Sequence, residues 1–204
     1  MGLYRDHVLP RLVDRSCGIA ATEPHRRRVC ADLHGEVLEI GFGSGLNVPF
    51  YPPAVTRVHA VEPSDLAWRL AADRVTASGL PVERTGQDGQ HLPLADDTVD
   101  SALVTWSLCT IPDPVAALEE VRRVLRPGGT LHVVEHGLAP DAGVRRWQRR
   151  LEPIQKRVAG GCHLTRQPAV MLEAAGFTSA ELDHFYMPDA PRPLGALSLG
   201  TAHA

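Results

Sequence analysis

No uninterrupted apolar run in the 204-residue sequence approaches the roughly 20 residues of a membrane-spanning helix. The first residues, Met1 to His7, carry charge and lack the apolar centre of a secretory signal. A soluble protein of the cytoplasm, with no integral membrane segment, is therefore expected. Basic excess is missing too: the formal net charge is -3, so a phosphate-backbone partner is not indicated and no nucleic-acid ligand is expected. The basic runs at Arg26-Arg27-Arg28 and from Arg145 to Arg157 read as solvated helix faces. The four cysteines, Cys17, Cys30, Cys109 and Cys162, form no C-x-x-C pair, which argues for reduced thiols rather than a disulfide framework. There are no internal repeats, no low-complexity tracts and no linker rich enough in Gly, Ser or Pro to divide the chain. One domain over residues 1–204 is expected, with 1–34 as an N-terminal helical cap and 141–166 as an insertion capping the substrate.

What is present begins with Glu39-Ile40-Gly41-Phe42-Gly43-Ser44-Gly45. It follows the apolar Val37, Leu38 and Ile40, and precedes Leu46-Asn47-Val48, so it reads as the turn from a buried strand into a helix. Glycines at alternate positions allow a sharp turn and a close approach to a ligand. After the loop, Pro52-Pro53 stops the helix early. Further strands are expected at 57–61, 82–84, 99–105, 130–134, 181–186 and 194–202, and helices at 65–78, 114–125, 143–158 and 167–175. The N-terminal segment places Leu3, Val8, Leu9, Leu12 and Val13 on one helical stripe, with Pro10 as a kink or restart. Strands alternating with helices call for a mostly parallel sheet covered on both faces, an α/β fold of Rossmann-like type. The last two strands read as a hairpin at one sheet edge.

In such a sheet, ligands collect at the carboxyl ends of the strands. The third glycine comes one position earlier than in the dinucleotide fingerprint. Glu39, two residues before the first glycine, would repel a pyrophosphate and suits an ammonium group. Glu62 ends the second strand, where its carboxylate can accept from two ribose hydroxyls. Ribose plus ammonium without phosphate describes S-adenosylmethionine. Asp88 and Gly89, after the third strand, are placed to meet adenine. As alternatives, Asp88 is a turn former and Glu62 a neighbour of a helix cap.

The set Val37 to Gly45, Ala60-Val61-Glu62-Pro63, Gln87-Asp88-Gly89, Leu92-Pro93-Leu94 and Arg123 to Thr130 resembles class I S-adenosylmethionine-dependent methyltransferases of the UbiE-like type. That resemblance implies a seven-stranded sheet ordered 3-2-1-4-5-7-6 with the last strand antiparallel. It also implies an enzyme that converts S-adenosylmethionine to S-adenosylhomocysteine. A narrower set is similar to the group that contains thiol S-methyltransferases and small bacterial relatives. It comprises Asn47 with Phe50 to Pro53, Leu108-Cys109, Glu135-His136, Trp147-Gln148 and Gly161 to Arg166.

On this reading the cofactor is met by Tyr4, Glu39, Gly41, Gly43, Gly45, Asn47, Glu62, Pro63, Asp88, Gly89 and Trp106. His136 is the first candidate base and His163 the second. Ser107, Cys109, Trp147 and Cys162 line the side of the acceptor. Each histidine has an alternative as a hydrogen-bonded structural residue, and each cysteine as a small buried apolar one. The spacing of Cys109, His136, Cys162 and His163 matches no structural zinc motif, and no metal is expected. The expected reaction is methyl transfer to a small molecule, with a thiol first. Alternatives are a phospholipid headgroup or other small amine, an oxygen or carbon acceptor, or a cofactor-binding protein without catalysis.

Overall fold

The computed structural model describes residues 2–204. Seven strands form one sheet: β1 (Gly35–Ile40), β2 (Val55–Val61), β3 (Val82–Gly86), β4 (Val99–Thr105), β5 (Leu125–His136), β6 (Thr178–Tyr186) and β7 (Ala196–His203). Their order is β3-β2-β1-β4-β5-β7-β6. The first five are parallel, while β7 runs antiparallel to both β5 and β6. This is the order and direction that the resemblance implied.

Period-two alternation sends neighbouring residues of each strand to opposite faces. Leu38, Ala102, Val104 and Val133 pack on one side with Leu118, Val121 and Leu172, which belong to α4 (Pro114–Val124) and α6 (Pro168–Ala174). Val37, Leu103 and Val134 pack on the other with Val29, Cys30 and Ala71, from α2 (Glu23–Cys30) and α3 (Asp65–Ser78). Both faces of the central strands are thus dry, which is why they read as apolar runs rather than as alternating ones. Helix ends follow local chemistry. The Ser64 hydroxyl accepts from the Ala67 N–H, Gly79 closes α3 in a left-handed conformation, and Asp113 accepts from the Val115 and Ala116 N–H groups ahead of α4.

Several expectations are corrected. The helix expected after the glycine loop is a single 3₁₀ turn, Val48–Phe50, because Pro49 lies within it and Pro52-Pro53 follow. At the N-terminus a wide π-type turn, Tyr4–Val8, precedes α1 (Leu9–Cys17), which restarts at Pro10. The apolar stripe there faces outward, with Leu3, Val8, Leu12 and Val13 exposed. The fifth strand starts five residues before Thr130, at Leu125. A short turn, α7 (Arg192–Gly195), sits in the Pro-rich connection between the two terminal strands. Among the described residues no helix is long and apolar enough to cross a membrane.

Candidate functional site

Parallel register brings the carboxyl ends of β1, β2, β4 and β5 to one rim: Ile40 pairs with Val61 and Val104, and Thr105 with Val134. The glycine loop leaves β1 at this rim, with φ of 72°, 60° and 73° at Gly41, Gly43 and Gly45. Only glycine adopts this region without strain. A side chain at Gly41 would also collide with the Ser107 hydroxyl, whereas a Cβ at Gly43 would meet only the Gly41 carbonyl oxygen, at an ordinary contact distance of 3.8 Å. The Gly43 N–H donates to Glu62 Oε2 at 2.7 Å, and the Ser64 N–H donates to Oε1 at 2.7 Å. Glu62 is therefore fixed in orientation while each of its oxygens keeps a lone pair. Burial pushes its carboxyl pKa up, against those two N–H groups.

Glu39 is fully inside, at 1% exposure. Asn47 Nδ2 donates to its Oε1 at 2.6 Å, and the Tyr51 hydroxyl donates to its other oxygen. Burial raises the carboxyl to about 7, with Tyr51 and Asn47 opposing the rise. Asn47 also donates to Thr105 Oγ1 at 2.9 Å and accepts from Arg26 at 2.5 Å. Both of its amide hydrogens and its carbonyl oxygen thus hold acid, base and strand end together.

Arg26 corrects the expectation of a solvated basic face, since it is 4% exposed. Its guanidinium stacks 4.8 Å from the centre of the Trp106 ring and donates to the Cys17 carbonyl. Its Nε–H is buried without a partner. A signal existed in the sequence: Arg26 shares a helical face with Val29 and Cys30, the other buried residues of α2. An unanswered buried donor is costly. A ligand carboxylate there would satisfy it, next to a glutamate suited to an ammonium. The pair Arg26 and Glu39 thus fits the amino-acid end of S-adenosylmethionine, and the free lone pairs of Glu62 fit its ribose hydroxyls.

Other expected cofactor residues lie differently. Tyr4 donates to the Val158 carbonyl at 2.6 Å, tying the N-terminal turn to α5 (Ala142–Val158) rather than reaching the glycine loop. The contact with that loop is made by Asp14 of α1, which accepts from Ser44 Oγ at 2.6 Å and from Arg74 at 3.0 Å. Pro63 is exposed, and Asp88 folds into its own turn, accepting from the Gln90 N–H at 2.9 Å and lying 3.0 Å from His91 Nδ1. Gly89 is buried against Ile40. Trp106 sits at the end of β4 with φ of 49°, a strained value for a tryptophan.

On the acceptor side, Ser107 is a support: its hydroxyl lies under Gly41 and donates to the Thr105 carbonyl at 3.0 Å. Glu135, at 1% exposure, takes the N–H groups of Ser107, Leu108 and Cys109 and so fixes the loop after β4. Trp147 is 54% exposed; the residue of α5 turned inward is Gln148, which accepts from the Ala139 N–H and donates to the Gly137 carbonyl. His163 faces Glu152, 3.3 Å away, which separates it in role from His136. Cys109, His136 and Cys162 do come together, their ligand atoms all within 4.8 Å of one another. Cys162 Sγ lies 3.7 Å from His136 Nδ1. The nearby Cys109 thiol and His136 ring bring the Cys162 thiol below its ordinary value, and the Cys162 sulfur with burial pushes Cys109 up.

Comparisons with known proteins identify the family. A family profile described as "Methyltransferase domain" matches residues 38–133. Thiol S-methyltransferase TMT1B of Rattus norvegicus is 35% identical over 172 residues, covering 81% of this chain and 69% of that protein. Phosphatidylethanolamine N-methyltransferase of Cereibacter sphaeroides is 34% identical over 137 residues, covering 65% and 66%. Among solved structures, an S-adenosylmethionine-dependent methyltransferase of Thermotoga maritima superposes with a TM-score of 0.69 at 21% identity, covering 97% of this chain and 98% of that one. The chain belongs to the class I S-adenosylmethionine-dependent methyltransferases.

Proposed function

We propose that the protein methylates the sulfur of a small thiol. S-adenosylmethionine, when bound, supplies an electrophilic methyl carbon on a sulfonium. Glu39 and Arg26 hold its amino and carboxylate groups, Glu62 its ribose, and the turn at Asp88-Gly89 lies on the adenine side. The chain itself must exclude water, orient the acceptor in line and, where the acceptor is protonated, take up its proton.

The observation that carries the thiol reading is the 35% identity with a thiol S-methyltransferase over 81% of this chain; beside it, the ionisable groups at or after the ends of β4, β5 and α5 are each bonded to a neighbour. His136 is held by Cys162, His163 by Glu152, and Glu135 by three backbone N–H groups. An alcohol or a protonated amine needs a base to take its proton, and a thiol needs the least help. A thiol, with a pKa near 8.5, provides a few percent of its own nucleophile at neutral pH. The thiol S-methyltransferase relative supports the same class of acceptor.

The test is incubation with S-adenosylmethionine and a panel of thiols, amines and phenols, reading S-adenosylhomocysteine and methylated product by mass spectrometry. S-methyl products are expected. Turnover of amines or phenols with none of thiols would overturn the reading. A second reading, N-methylation of an ethanolamine phospholipid, is favoured by one surface feature. Leu12, Val13, Ile154 and Val158 are exposed on α1 and α5, near the Tyr4 contact that joins these regions. Ethanolamine phospholipid vesicles in the same panel test it.

A further inference from the structure

We propose that Cys109, His136 and Cys162 form a binding site for a thiophilic divalent metal ion, zinc by the nature of the donors. The three side chains come from three separate places in the chain: the loop after β4, the end of β5 and the segment after α5. Sequence spacing carries no zinc signature because only the fold brings them together.

The geometry is close to what zinc requires. Zinc–sulfur bonds of about 2.3 Å and zinc–nitrogen bonds of about 2.0 Å in a tetrahedron place neighbouring ligand atoms about 3.5–3.8 Å apart. The separation of Cys162 Sγ from His136 Nδ1 is 3.7 Å, and no pair in the cluster exceeds 4.8 Å. Thiolate and imidazole together select zinc over magnesium or calcium, which prefer oxygen. Charge also balances: two thiolates and a neutral imidazole around a divalent cation leave no net charge in a place where Cys109 and Cys162 are 2% and 3% exposed.

The frame around the donors is built. The His163 N–H donates to the Cys109 carbonyl at 2.8 Å, joining the two cysteine segments directly. Arg166 donates to the carbonyls of Leu108 and Ile111, and Glu135 takes the Cys109 N–H. Such outer contacts fix a ligand's orientation before the metal arrives.

Three protein donors leave one position of a tetrahedral ion open. This part rests on the thiol reading: the open position takes the acceptor sulfur as thiolate, its proton leaving to solvent and one negative charge joining the neutral site, while metal binding itself does not depend on the acceptor. On loading, each cysteine that enters as a thiol also loses its proton to solvent.

The experiment uses the full chain, reduced, incubated with zinc or cobalt(II) and then desalted. About one metal ion per chain is expected, and the cobalt form should show thiolate-to-cobalt charge-transfer bands. Cys109→Ser and Cys162→Ser should each retain below about a tenth of that metal, while His163→Gln should retain it in full. Loss of less than half the metal in both cysteine variants overturns the site. If the variants do not fold, the parent protein decides: zinc should protect Cys109 and Cys162 from alkylation as read by peptide mass spectrometry. Equal labelling with and without zinc, or no charge-transfer bands, overturns it. Adding a small thiol should shift the cobalt bands. Unshifted bands with cobalt retained overturn the acceptor's place on the metal and leave the site. Metal retention without any thiol methylation sinks the thiol reading alone.

Discussion

Gly43→Ala separates cofactor binding from folding. Gly43 has φ of 60°, and an added Cβ would have only the Gly41 carbonyl oxygen near it, at 3.8 Å. The folding cost is then that of a left-handed alanine, about 1–2 kcal/mol, or a fall of a few degrees in Tm for a chain of this length. The same methyl would stand where the glycine loop meets its ligand. A lost close approach of this kind should weaken S-adenosylhomocysteine binding at least about tenfold, or about 1.4 kcal/mol. Gly41→Ala is the control. Its φ is 72°, and its Cβ collides with the buried Ser107 hydroxyl, itself bonded to Thr105. Overpacking adds about 1–3 kcal/mol to the same backbone cost, so its Tm should fall about twice as far. Calorimetric titration with S-adenosylhomocysteine and thermal melts read both quantities. A Gly43→Ala protein that binds within twofold of the parent, or that melts as low as Gly41→Ala, would refute the reasoning.

Because burial raises Glu39 to about 7, the free protein holds a proton there below that pH. Pairing with the ligand ammonium needs the ionised form, so affinity for S-adenosylhomocysteine should weaken towards about tenfold per pH unit below 7. Glu39→Gln should bind weakly at every pH, and a parallel slope in that variant would assign the effect elsewhere. Arg26→Met keeps the bulk of the side chain but not its donors; it should lower affinity for S-adenosylhomocysteine far more than for adenosine, and equal losses for both would remove the carboxylate role. His132, 4% exposed, is lowered to about 4 by burial. The unfolded chain takes up a proton near 6.5 and the native one does not, so stability falls between about 6.5 and 4, by up to about 3 kcal/mol. Denaturant melts across that range should show a shallower decline in His132→Gln. Asp14→Ala removes the acceptor shared by Ser44 and Arg74; hydrogen exchange should quicken in α1 and the glycine loop, with β4 and β5 unchanged.

The sheet was legible because strands buried on both faces write uninterrupted apolar runs, as Val37-Leu38 and Leu103-Val104 do, and because caps such as Ser64 and Asp113 act within four residues. The placement of Glu39, the glycines and Glu62 at strand ends was legible for the same local reason, since position along the strand decides position in space. Legibility failed where one helical turn decides the outcome. Trp147 and Gln148 are neighbours, yet a polar side chain is the buried one, since Gln148 satisfies the free main-chain groups of Gly137 and Ala139. Arg26 shows the converse, a charge on an apolar face, whose meaning comes from Asn47, 21 residues away. His136 was read as the first candidate base and His163 as the second, but long-range contacts give one a sulfur and the other a carboxylate. The acceptor side is therefore written in pairings across the chain, between β4, β5 and the segment after α5. A single substitution there, unlike one in the glycine loop, should be read against its partner in a double-mutant cycle, since Cys109, His136 and Cys162 share one set of contacts and their effects will not add.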